Sequence, residues 1–153
     1  MILETEFYKG AQGKMNIQQK EVGGMEEAKK HKALIVVLAV IACLRPIMSI
    51  TGLSEQIGQP VASLSATAVI TLVWIAAAVF ARVRQPVVVL MFTGIAYGLL
   101  AIVLSAILSP ILSGHLQGPL LNPLAIISTL VTNAIWGIVA GLLALAAMRL
   151  LKL

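Results

Sequence analysis

Arg45 stands inside an otherwise apolar run, from Ala33 to about Leu53, where only a partner or a polar cavity makes a guanidinium tolerable. Counted from Ala33 at 1.5 Å per residue, it would lie roughly 18 Å into a hydrocarbon layer about 30 Å thick. A charge there costs on the order of a few kcal/mol even on the lenient insertion scale. Glu55, ten residues later, is the only acid beyond the N-terminal segment. Three readings compete. In the structural one, Arg45 pairs with Glu55 and with carbonyls left open by Pro46, which has no N–H to donate, or it snorkels to headgroups. In the functional one it lines a polar cavity and attracts an anionic solute. In the third it meets a lipid headgroup or a protein partner. The structural pairing requires least.

Asn133 is the next candidate, because an amide is harder than a hydroxyl to satisfy within its own helix. Ser63, Ser65, Thr67 and Thr71, and likewise Ser128, Thr129 and Thr132, recur at roughly helical spacing. Hydroxyls usually return their bond to their own helix, so these read as inter-helix glue ahead of a solute path. Trp74 and Trp136 fall near the middle of their apolar runs, away from the interfacial belt where tryptophan is expected. They fill volume inside a bundle or stack on a solute, and Tyr97 is equally ambiguous. Cys43 reads as a small packing residue, and His115 as a solvated loop side chain.

Enzyme signatures are missing. There is no HExxH, no Gly-x-Ser-x-Gly elbow, no P-loop, no dinucleotide fingerprint and no paired carboxylates in the apolar runs, so no catalysis, metal site or cofactor is expected.

The elements that must hold these residues are apolar runs of bilayer length. A hydrophobic fraction of 59% with 11% charge and a mean hydropathy of +1.00 lies outside the range of soluble domains. Continuous runs without alternation predict helices and exclude a barrel. The expected fold is all-α, a polytopic integral membrane protein with four transmembrane helices at about 33–53, 60–81, 86–109 and 123–151. Gln59-Pro60, Gln85-Pro86 and Asn122-Pro123 open the last three, proline being pre-set for the first helical position.

Residues 1–32 are polar, with Lys9, Lys14, Lys20, Lys29, Lys30 and Lys32 against Glu4, Glu6, Glu21, Glu26 and Glu27. Lacking a sustained apolar period or a signal-peptide core, they read as a disordered cytoplasmic tail preceding a transmembrane domain at 33–153. Lys20-Glu21-Val22 can be encoded by a ribosome-binding sequence, which puts the expected native start at Met25. The net charge of +5 needs no nucleic acid. Every Lys and Arg except Arg45 flanks an apolar run on one side, which predicts a multi-pass cell-membrane protein with both termini cytoplasmic.

Gly94 and Gly98, and Gly137 and Gly141, form two GxxxG pairs, small-residue sites through which helices approach closely in lipid. Packing within the bundle is the first expectation, a homo-oligomer or membrane-protein partner the second. Ala42 to Ser49 also aligns with Ala106 to Ser113, sharing Ala, Leu, Pro, Ile and Ser, while Pro60, Ser65 and Trp74 align with Pro123, Ser128 and Trp136. Two tandem two-helix hairpins of one topology would produce this, as would chance in a restricted alphabet; both stay open.

Cys43-Leu44-Arg45-Pro46 and the residues to Leu53 resemble the end of the first helix in the cyanate-type subgroup of major facilitator transporters, where Asn-Leu-Arg-Pro stands. That resemblance implies an arginine beside an anion path. It covers a short stretch, and four spans cannot build that family's twelve-helix body. Small multidrug-resistance pumps are similar in size and span count, yet they need an acid in the first span, which is absent here. The leading functional expectation is a small transport component for a small solute, an anion being one candidate, with Arg45, Glu55, Asn133, Trp74 and Trp136 as its site. The rival is a non-transporting scaffold or partner subunit held by an Arg45/Glu55 pair.

Overall fold

Proline, glycine and charge decide where each helix starts and stops. A computed structural model describes residues 2–50, 61–114 and 118–152, and every regular element among them is helical. In chain order these are α1 (Ile2–Lys30), α2 (Lys32–Ala42), α3 (Leu44–Ile50), α4 (Val61–Phe80), α5 (Pro86–Ser113), a 3-10 turn at Pro119–Leu121, and α6 (Pro123–Leu150).

Two stretches, Pro86–Leu112 and Pro123–Leu150, are long and apolar enough to cross a membrane, and the bent pair Tyr8–Lys30 and Lys32–Met48 raises the number to three if taken as one span. These helices point to a membrane protein. The expected boundaries need adjusting. The first apolar run is interrupted at Cys43, whose N–H bonds back to Ala39 and Val40 at 3.2 and 3.0 Å. Pro46 is the physical reason: without an N–H it leaves the Ala42 carbonyl without its helical donor, and its ring crowds the preceding turn. At the third run the helix passes through Pro110 and ends at Ser113, because Gly114 adopts a left-handed φ of 73° and returns its N–H to Pro110.

The N-terminal segment differs most. Expected as a disordered tail, it is helical from Ile2 to Lys30. Its Glu, Lys, Gln, Ala and Met residues are good helix formers, and its last turns dock. Gly24 is buried against Val88 of α5, and the Glu27 carboxylate accepts the Arg84 N–H at 3.1 Å. Glu27 also lies 3.3 Å from His31 Nε2 at the 68° bend between α1 and α2. The turn from α4 to α5 is closed by Arg82 with a φ of 47°, the Arg82 N–H reaching Val79 and the Val83 N–H reaching Ala78. Val83 is buried, the apolar contact that accompanies such a cap.

The core is the antiparallel pair α5 and α6. A Cβ on Gly94 would meet the Asn133 carbonyl, on Gly137 the Leu90 carbonyl, and on Gly141 the Val87 Cα. Gly98 lies under Leu130 and Asn133. With no side chain at these positions, backbone meets backbone, and Thr93, Val89, Leu90, Ala140 and Ala144 are buried around the crossing. Here the small residues of both helices are spent on each other. Adding one methyl at Gly137 forces the helices apart, at about 1–3 kcal/mol. Gly137→Ala is therefore expected to unfold at clearly lower temperature in detergent than wild type, whereas Gly13→Ala, where a Cβ meets nothing within 4 Å, should not; equal melting of the two variants contradicts the packing.

Candidate functional site

Four of the five expected site residues meet in one cavity. Arg45, Trp74, Asn133 and Trp136 line it, with Thr67, Ile70, Tyr97 and Thr132, around a volume of about 190 Å³. It is bounded by α3, α4, α5 and α6, beside the interruption that Pro46 imposes. Glu55 lies outside the described residues, as does His115.

The floor is built first. Trp74 is 2% exposed, donates its indole N–H to the Leu38 carbonyl at 3.2 Å, and meets Tyr97 edge to face with centroids 6.4 Å apart. That bond joins α4 to α2 just before the Cys43 interruption. Tyr97, also buried, sits on α5 between Gly94 and Gly98, so the glycine crossing and the aromatic floor occupy the same turn. Asn133 faces the same crossing from α6, its backbone carbonyl where a Gly94 side chain would be.

The rim is polar and more open. Arg45 is exposed, and among the described residues its guanidinium forms no ion pair or hydrogen bond. Trp136 is 43% exposed and donates to the Thr71 hydroxyl at 3.0 Å, which in turn donates to the Thr67 carbonyl at 2.7 Å. This relay ties α6 to α4 across the mouth.

One expectation fails. The Asn133 amide, expected to be hard to satisfy within its own helix, donates from Nδ2 to the Thr129 carbonyl one turn back at 2.7 Å. The side chain is long enough to reach the i−4 carbonyl, as threonine does. Of the hydroxyls expected to bond within their own helix, Ser65, Thr71 and Thr129 each donate to a carbonyl four residues earlier, and Thr93 does the same. The aligned halves part here, since Trp74 is buried while Trp136 is open, and Pro46 interrupts its helix while Pro110 does not.

Sequence reasoning missed Glu27, assigned to a disordered segment although its side chain is only 12% exposed. The available signal was Glu27 and His31 spaced i, i+4 at the junction with the first apolar run. Ile70 was also missed, being one isoleucine among many. No metal-binding group of three His, Cys, Asp or Glu occurs among the described residues. Comparison of the chain with protein-family models, curated proteins and solved structures finds no match.

The two tryptophans are the only ones in the chain, and they differ in exposure. A brominated detergent should quench the emission of Trp74→Phe, which keeps Trp136, several-fold more than that of Trp136→Phe; the reverse order contradicts this cavity.

Proposed function

We infer that this chain is a small multi-pass membrane protein that binds, and as an oligomer moves, a small organic anion through the Arg45 cavity. The observation that carries the reading is the convergence of an arginine, an asparagine, two threonines and three aromatic residues on one enclosure. In a low-dielectric surround an arginine with no acidic partner among the described residues favours an anion, and its planar fork suits a carboxylate. The aromatic floor suits an apolar body. A volume of 190 Å³ exceeds the roughly 150 Å³ of an engineered cavity that takes up benzene, so an aromatic monocarboxylate is of the right size.

Four crossings with both ends cytoplasmic is the topology that supports this role. α4 has 20 residues, enough for a layer of about 30 Å. Glu27 touches the Arg84 backbone, and Gly141 near the end of α6 lies against Val87, so the Lys29–Lys32, Arg82–Arg84 and Arg149–Lys152 clusters share one end of the molecule. One basic end is what positive-inside insertion requires. In that frame Arg45 is about 20 Å along the helix from Lys32, near mid-membrane, where transporters place solute sites beside interrupted helices.

A scaffold or partner subunit is the second reading. Its support is that the hydroxyls of Ser65, Thr71, Thr93 and Thr129 are turned to their own helices, which makes them packing groups. Benzoate titrated against tryptophan emission should quench it saturably, benzyl alcohol much less, and Arg45→Ala should weaken benzoate by tenfold or more, about 1.4 kcal/mol. Labelled benzoate should also enter proteoliposomes carrying wild type and not those carrying Arg45→Ala. Binding without uptake favours the scaffold; equal binding of acid and alcohol removes the anion site.

A further inference from the structure

A second cavity, away from Arg45, lies between the end of α1, the start of α2 and the outer face of α5. It is a groove of about 440 Å³ whose wall includes Val36, Phe92, Ile95 and Leu99, with Lys29 and Lys32 as its polar side chains. From Phe92 to Leu99 it runs about 10 Å along α5. Val36 and Leu99 are 55% and 51% exposed, so it opens sideways along its length. Water has no hydrogen-bond partners against such walls, whereas a hydrocarbon chain does not need them.

The charges give the groove a direction. Lys29 and Lys32 stand at one end, in the basic cluster that precedes the first apolar run, and Phe92 to Leu99 lead away from them into α5. Glu26 lies 3.0 Å from Lys29 Nζ, but both side chains are about two-thirds exposed, and a surface pair of this kind leaves the cluster net positive. The neighbouring groove across α1 has the same volume but carries Lys20 beside Glu21, so its mouth is neutral. Of these two grooves, only the first combines apolar volume with net positive charge.

We propose that this groove is a binding site for one anionic phospholipid, its phosphate on Lys29 and Lys32 and one acyl chain along Phe92, Ile95 and Leu99. The site is independent of the Arg45 cavity. Because α1 and α2 meet there at the 68° bend, a lipid seated in it also braces the junction of the N-terminal helix with α5.

The full chain in detergent, titrated with dioleoyl phosphatidylglycerol and separately with dioleoyl phosphatidylcholine and read by native mass spectrometry, tests this. The anionic lipid should bind at one site and the zwitterionic one on the order of tenfold more weakly. Joint Lys29→Gln and Lys32→Gln should erase that preference, while Val36→Trp, which fills the groove without touching charge, should weaken both lipids. Equal binding of the two lipids by wild type, an unchanged preference in the lysine variant, or unchanged binding by Val36→Trp each overturns the proposal. So does displacement of phosphatidylglycerol by excess inorganic phosphate, which would make the lysines a simple anion contact.

Discussion

Backbone contact between α5 and α6 is the constraint on which the rest of this molecule depends. In lipid, apolar side chains gain little by touching each other, so helices are held by close packing and by the few polar bonds between them. Gly94, Gly137 and Gly141 each leave a space that a carbonyl or Cα of the opposing helix occupies, and no other residue type would permit it. The remaining helices add to this pair. α2 is tied to α4 by Trp74 and Leu38, α4 to α6 by Thr71 and Trp136, and α1 to the α4–α5 turn by Glu27 and Arg84.

The same contact builds the cavity. Asn133 is pressed against α5 because Gly94 and Gly98 yield the room, which brings it into the cavity that Tyr97 and Arg45 also line. Pro46 contributes from the other side by stopping α2 at Ala42, so that Arg45 lies in the first turn of a new short helix at the rim. A packing motif and a helix breaker, neither of them polar, thus collect Arg45, Thr67, Thr132 and Asn133 into one place. One backbone cost accompanies the turn between α4 and α5. Arg82 holds a left-handed φ of 47° that glycine would adopt more easily, at about 1 kcal/mol. Glycine there would remove one of the cations between α4 and α5.

Much of this was legible in the residues. Asn122-Pro123 marks the start of α6, and the structure uses it as such, the Asn122 side chain accepting the Leu124 N–H at 2.9 Å. Arg45, Trp74, Asn133 and Trp136 announced themselves by being polar or bulky in apolar runs. That they face one another was not legible, because GxxxG says that a helix approaches something without saying what. The N-terminal helix escaped because its apolar residues are dilute: Tyr8, Met15 and Val22 recur at seven-residue spacing and all remain exposed, and its docking rests on Gly24 and Glu27. The local reach of Asn133 to Thr129 is a rotamer choice that spacing cannot reveal.

Because the account makes the cavity a consequence of glycine packing, a change in the packing alone should damage it. The direct measurement is the benzoate affinity of Gly94→Ala, whose added methyl points at the Asn133 carbonyl and adds nothing to the cavity lining. With helix content and monodispersity in detergent preserved, the affinity should fall by about tenfold or more relative to wild type. A folded Gly94→Ala protein that binds benzoate as wild type does would contradict the dependence of the site on the α5–α6 contact.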